Sequence, residues 1–305
     1  MTYKSFLKSI GLNKAGGLLT RVSPGLGVRL RYLVNYGRLP NLRNPKTFDE
    51  KINWLKLHVI RYDPIYRICA DKYLVRGYIK SIGCSEILND LIAVYDHAED
   101  INWGDLPSRF AMKWNFGAGY NIICSNKQDL DTRAAESMMK KWGESSRYLP
   151  SYEPQYEDID RKIIVEKYME GRNGEPPVDY KIYASYGKAN IIMACVDRVI
   201  GRGAKCYYFD RSWNLVKWSN RTLNTEEKDL PQKPESLEQL FHYAEILSKP
   251  FPFVRVDLYE INGKVYFGEL TFTPAGGFDP AFLPEGQRYL GNEIQLPIKS
   301  CKTHE

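Results

Sequence analysis

Apolar positions recur along the chain at two spacings, and the switches between them outline its elements. Phe48, Ile52 and Leu55 fall at i, i+4 and i+7, a stripe that predicts a helix. Thr47 and Glu50 stand at capping-box spacing at its start. Further helices are expected over residues 68–82, over 131–142 with Asp131 as N-cap, and over 237–247. Residues 110–114 read as a strand, followed by a glycine-containing turn and a strand through Ile122 and Ile123; residues 161–169 form another. Two hairpins follow, 180–186 with 189–196 around Gly187, and 253–261 with 264–270 around Asn262 and Gly263. Residues 231–234, bounded by prolines, are a loop. Helices mixed with antiparallel hairpins, with no βαβ series, predict an α+β fold.

Composition changes this picture little. With 305 residues, 43% of them apolar and 13% aromatic, the chain can bury a large core and is not a disordered protein. Charge is more informative. The net charge is +6, yet no acidic residue precedes Asp49. Nine basic residues do: Lys4, Lys8, Lys14, Arg21, Arg29, Arg31, Arg38, Arg43 and Lys46. Taking these nine from 43 leaves 34 basic against 37 acidic residues, a net of −3. The expectation is a mildly acidic body carrying a basic arm. No N-terminal run is apolar enough for a signal peptide or a spanning helix, so the expected location is cytoplasmic. Two readings of the arm stay open. It touches the anionic inner face of a membrane peripherally, or it is a strap packed on the body by Leu19, Val22, Leu30 and Leu33. A nucleic-acid partner is not expected, because the body has no basic excess. Six scattered cysteines without a C-x-x-C pair, and four isolated histidines, predict free thiols and no zinc site.

Two places carry chemistry. Lys113 precedes Gly117 and Gly119; the glycines let backbone N–H groups approach phosphate oxygens while the lysine supplies a point charge. A structural turn would have the same residues. Arg255 and Asp257 share one face of a strand, and Glu269 and Thr271 lie on its hairpin partner. Two carboxylates beside an arginine suit Mg²⁺, which takes oxygen ligands and commonly also holds phosphates. Register decides the point. A two-residue Asn262–Gly263 turn pairs Val256 with Glu269 and sends the carboxylates to opposite faces. A three-residue loop, or an equivalent bulge, puts both on one face. The alternative is a salt-bridged solvent face. Arg198, Arg202 and Lys205, around Gly201 and Gly203, form a basic loop suited to an acidic substrate.

In this order, Lys113, Glu166 to Met169, Asp179 with Lys181, Arg255 with Asp257, and the run Glu269 to Pro274 resemble an ATP-grasp enzyme, and more closely the TupA-like family of surface-polysaccharide gene clusters. Pro45 to Phe48 and Asp71–Lys72–Tyr73 belong to the same resemblance, which spans about residues 44–277. It implies ATP clamped between two α+β subdomains. Lys72 and Lys113 would sit on the phosphates and Glu166, Lys167, Tyr168 and Met169 at the adenine hinge. Glu170 or Asp179 would hold the ribose, and Lys181 would approach the phosphates. Asp257, Glu269 and Thr271 would hold Mg²⁺, and Arg255 would face the transferred phosphoryl group. Thr271 stands where many ATP-grasp enzymes carry asparagine. The implied divisions are a basic arm (1–48), a helical region (49–106), two ATP-grasp subdomains (107–170 and 171–297) and a tail (298–305). The implied chemistry joins a carboxylate to an amine through an acylphosphate, with an acidic sugar or glycan and an amine or amino acid as partners. A sugar kinase would share the ATP site. A metal-dependent glycosyltransferase is the rival from another class, through the D-x-D matches at Asp129 and Asp131 and at Asp158 and Asp160.

Overall fold

The computed structural model describes residues 19–146, 149–171, 174–199 and 203–297. Helix α1 (Pro24–Tyr36) opens them, started by Pro24 and stopped by Gly37 in the left-handed region. Helix α2 (Phe48–Leu55) carries the capping box expected of Thr47 and Glu50, then loosens into a π-helical turn over Lys56–Ile60. The helix expected over 68–82 is two helices, α3 (Pro64–Ala70) and α4 (Val75–Ser81). Asp71 breaks it, because its backbone is extended and its carboxylate accepts from the amides of Tyr73 and Leu74.

Four strands, β1 (Leu91–Tyr95), β2 (Phe110–Trp114), β3 (Asn121–Cys124) and β4 (Ile163–Lys167), form an antiparallel sheet in the order β1-β4-β2-β3. Strand β1 lies inside the stretch read as helical. Helix α5 (Thr132–Gly143) covers this sheet, capped by Asp131 as expected. Met139 and Ala135 pack on Phe110, Met112 and Trp114, and the Trp114 indole donates to the Met139 carbonyl at 2.9 Å.

The second sheet has five antiparallel strands: β5 (Asp179–Ser185), β6 (Lys188–Val199), β7 (Gly203–Asp210), β8 (Val254–Ile261) and β9 (Lys264–Thr271), in the order β7-β6-β5-β8-β9. Helix α6 (Leu237–Ser248) buries Leu240, Phe241, Ala244 and Leu247 against Val254, Val256 and Leu258 of this sheet. Helix α7 (Pro284–Glu293) closes the described chain beside α2. The cysteines among the described residues are free; Cys195 and Cys206 face each other across β6 and β7 with sulfurs 2.6 Å apart.

The arm is part of the body from α1 onward, but not through the residues expected. Val22 is 80% exposed and Leu30 also faces solvent, whereas Val28 and Tyr32 bury against Tyr152 and Phe278. Arg38 pairs with Glu50 at 2.8 Å, and Arg31 lies over the Phe278 ring. Lys4, Lys8 and Lys14 lie outside the described residues.

Candidate active site

The β8–β9 turn is tight. Ile261 pairs with Lys264, and Asn262 and Gly263 both have positive φ, so of the alternatives left open the two-residue turn forms and the three-residue loop does not. Register is corrected further along, by a bulge. Leu258 pairs with Phe267 but Asp257 pairs with Glu269, which leaves Gly268 looped out. A Cβ there would stand 2.9 Å from the Asp257 carbonyl oxygen and 3.0 Å from the Tyr259 ring, so the bulge requires glycine. Glu269 and Asp257 are thereby direct cross-strand partners, and Arg255 pairs with Thr271 rather than with Glu269.

On the other side Asp257 pairs with Lys181 of β5. Lys181, Asp257 and Glu269 form one row across three strands, with Arg255 and Thr271 in the next. The Lys181 ammonium lies 2.5 Å from Asp257 Oδ2 and 2.7 Å from Asp179 Oδ2. Arg255 donates from Nε to Asp257 Oδ1 at 2.7 Å and from Nη2 to Oδ2 at 2.6 Å. Thr271 accepts from Arg255 and donates to Glu269 Oε1, each at 3.1 Å. Burial raises the Asp257 carboxyl, with Arg255 and Lys181 opposing it. Burial also opposes ionisation of Glu269, but the charges of Lys72, Lys181 and Arg255 outweigh it and hold this carboxyl down at about 2.

The four-stranded sheet supplies the facing half. Gly117 and Gly119 both have positive φ, and a Cβ at Gly117 would meet the Tyr120 ring at 2.8 Å. Lys72 sits at the break after Asp71. Its amide donates to the Asn115 carbonyl at 2.9 Å, its ammonium donates to the Gly117 carbonyl at 2.6 Å, and the same ammonium lies 3.7 Å from Glu269 Oε2. Burial lowers this ammonium's pKa, and Glu269 opposes that. Lys113 projects from β2 onto Glu166 at 2.6 Å, and Arg76 reaches the other Glu166 oxygen at 3.2 Å. The Lys167 amide donates to the Asp90 carbonyl at 3.0 Å, and the Lys167 carbonyl accepts from the Asn89 side-chain amide at 2.8 Å. Beside it, the Arg109 guanidinium covers the Tyr168 ring at 4.2 Å and holds both Glu170 oxygens, at 2.6 and 2.9 Å. Met169 is half-buried in the same segment.

Lys205 lies apart from this cluster in its contacts, paired with Asp197 at 2.9 Å on an exposed hairpin. Arg202 and the side chain of Arg198 lie outside the described residues. Of the D-x-D residues, Asp131 caps α5 and Asp160 pairs with Lys162.

Sequence reading missed the residues that hold these groups in place. Asn115, fully buried, accepts from the Lys72 and Lys162 amides and donates to Asp71 Oδ2 and to the Asp160 carbonyl, both at 2.8 Å. Tyr156 is close enough to Glu269 and Asp257 for their charges, after burial, to raise its hydroxyl well above the ordinary value. Of these residues only Asp71 figured in the sequence reading, beside Lys72 in the family resemblance and not as a positioning group.

The donors on the β8–β9 face are all oxygen: two carboxylates and a hydroxyl. Asp257 Oδ2 is engaged by two cations, whereas among the described residues Oδ1 receives only the Arg255 Nε bond. Among the described residues no group of three or more His, Cys, Asp or Glu could hold a metal by itself. This set fits Mg²⁺, which binds through one or two carboxylates and completes its shell with water and substrate phosphate.

A glycine-turned loop on one antiparallel sheet meets an acidic hairpin on another through Lys72, an arrangement consistent with the ATP-grasp class. The model of the TupA-like ATP-grasp family matches residues 50–295, and the chain belongs to that family. No curated protein matches the sequence. Among solved structures the chain is similar to D-alanine–D-alanine ligase from Bacillus anthracis complexed with ATP, at 16% identity and a TM-score of 0.45, over 74% of this chain and 65% of that one. It is similar to the Helicobacter pylori D-alanine–D-alanine ligase at 12% identity and 0.40, over 82% and 69%. Phosphoribosylamine–glycine ligase from Thermotoga maritima matches at 11% and 0.41, over 68% and 48%. The chain thus spans less than two-thirds of the first of these. No helix among the described residues is long and apolar enough to cross a membrane.

Proposed function

We propose that the protein is a carboxylate–amine ligase that couples ATP cleavage to amide formation on an acidic sugar or glycan. The observation that carries this reading is the direct pairing of Asp257 with Glu269, flanked by Lys181, Arg255 and Lys72. Asp257 and Glu269, with the Thr271 hydroxyl, would hold Mg²⁺, which neutralises phosphate charge when bound. Lys72 and Lys113 attract the phosphate chain, and Gly117 and Gly119 let backbone amides approach it. The segment Glu166 to Glu170 lines the base and, with Asp179, the ribose.

Phosphoryl transfer asks little covalent help of the protein, so these side chains act by position and charge. The substrate carboxylate oxygen attacks the terminal phosphorus, the bond to ADP breaks, and an acylphosphate forms. Arg255 and Lys181 supply positive charge to the transferred group. An amine then attacks the acyl carbon; phosphate leaves, and the nitrogen loses a proton. The basic hairpin with Arg198, Arg202 and Lys205 grips the acidic substrate by charge-assisted hydrogen bonds. The protein works in the cytoplasm, with residues 1–48 supplying peripheral contact with an anionic membrane face.

The test is a product assay with ATP, Mg²⁺, a uronic-acid acceptor and a pool of amino acids. ADP, phosphate and an amide-linked product are expected. A phosphorylated sugar would make the protein a kinase instead, and sugar-nucleotide turnover without ATP would make it a glycosyltransferase.

A further inference from the structure

Beside α2 lies a groove of about 840 Å³, bordered by α1, the segment 42–46 and the chain following α7. No residue of the site described above lines the groove, and one wall of it is helix α2. Asn53 and Lys56 point from it to the carbonyls of Gly277 and Gly276, at 2.7 and 2.6 Å, while Lys51 and Trp54 line the groove. Four cations border the groove, Arg29, Arg43, Lys46 and Lys51, and among the described residues no carboxylate does. The nearby Glu50 is spent elsewhere, on Arg38 and on the amides of Asn41, Lys46 and Thr47. Burial, and after it the charge of Lys46, depress the Lys51 ammonium, so like charges crowd here. Tyr62, 70% exposed, gives the groove its aromatic surface, while Trp54 borders it as a buried core residue.

We infer that this groove is a second binding site, for an anionic saccharide chain, separate from the nucleotide clamp. A concave wall lined by one sign of charge focuses the field on a ligand of opposite sign. Arginine and lysine take carboxylates or phosphates by charge-assisted bonds. Exposed aromatic rings accept the apolar C–H face of a sugar. A volume within the usual range of about 300–1,000 Å³ for ligand pockets suits a chain segment better than a membrane surface, which cannot enter a cleft. Naming a uronate-type saccharide as the anion rests on the ligase reading above; the groove and its charge do not. Its role would be to retain the acceptor chain while one residue of it reacts at the nucleotide clamp.

The experiment is calorimetric titration of the full chain, without ATP, with trigalacturonate, maltotriose, inorganic phosphate and phosphatidylglycerol vesicles. Trigalacturonate should bind and maltotriose should not. The double variant Arg43→Glu/Lys46→Glu should weaken trigalacturonate at least tenfold, and Tyr62→Ala several-fold, with MgATP affinity unchanged as evidence of folding. Equal trigalacturonate affinity in variant and parent would overturn the assignment. Phosphate binding as tightly, with Tyr62→Ala silent, would also overturn it, by reducing the groove to a plain anion site. Vesicle binding lost in the double variant, with no trigalacturonate bound by the parent, would assign the groove to lipid. These readouts use no turnover, so amide formation can fail in the product assay while the groove still binds trigalacturonate, and the reverse.

Discussion

Asp257 and Glu269 face each other directly across β8 and β9 because Gly268 is looped out between Phe267 and Glu269. The two carboxylates therefore depend on a residue that bears no charge. Gly268→Val would drive its Cβ into the Asp257 carbonyl, a backbone atom with nowhere to go. Expected is a loss of at least about tenfold in Mg²⁺-dependent ATP affinity, since a one-residue slip turns Glu269 to the other face. Gly263→Ala, in the turn of the same hairpin, should cost stability through its positive φ yet leave Mg²⁺ dependence intact. Titrating ATP with and without Mg²⁺ checks both.

Asp257 binds two cations at once, so its charge is structural as well as chemical. Asp257→Asn should slow turnover by about 10²–10³, the usual effect of losing one preorganised electrostatic partner. It should also destabilise the fold by about 3–5 kcal/mol, because buried Arg255 loses its bidentate carboxylate and buried Lys181 keeps only Asp179. Lys181→Met combined with Asp257→Asn should cost less than the two single changes added together. Urea denaturation of the four proteins closes the cycle; strict additivity would mean that the pair does not interact.

Asp49 sets a pH dependence of opposite sign to that of a surface carboxylate. Burial raises its pKa to about 7, against the bonds it accepts from Tyr36 and Gln287. An unfolded aspartate titrates near ~4. Between these values the folded chain holds more protons than the unfolded one, so this group's contribution to stability is full below about 4 and is lost as pH rises through about 7. Asp49→Asn should flatten that slope, which amounts to a few kcal/mol on the order-of-magnitude scale. Denaturation midpoints at pH 5 and pH 8 test it: identical slopes in both proteins would place the titration elsewhere.

The N-terminal segment divides at α1. Removing residues 1–18 should weaken association with phosphatidylglycerol vesicles, since Lys4, Lys8 and Lys14 go with it. Removing residues 1–40 strips Tyr32 from Phe278 and Tyr36 from Asp49. Tyr32→Ala alone should cost about 3–5 kcal/mol, as for other large buried aromatics. Vesicle binding unaffected by the shorter truncation would leave those three lysines without a membrane role.

What was legible in the sequence was local. The Thr47–Glu50 box, the Asp131 cap and the turns at Tyr186–Gly187 and Asn262–Gly263 each depend on neighbours within four residues, and all formed as read. The ATP-grasp assignment followed from the order of motifs and is matched over residues 50–295. The break at Asp71 was hidden because Ile68, Val75, Ile79 and Ile82 keep helical apolar spacing across it. Helix α1 did carry its signals, Pro24 at the start and Gly37 at the end, beneath the more conspicuous run of arginines. Asn115 could not be read, since the side chain's partners lie 44 to 47 positions away in sequence. The bulge at Gly268 was named as a requirement but could not be located, because a glycine in a strand also fits an ordinary ladder.

Lys72 belongs to neither sheet, yet its amide and ammonium tie it to Asn115 and Gly117 on one side while Glu269 stands 3.7 Å away on the other. Widening of the cleft between the sheets would lengthen the contact between Lys72 and Glu269. A single ammonium thus acts as the molecule's own gauge of aperture. An ¹⁵N-labelled lysine at this position would report the opening of the jaws with no probe attached.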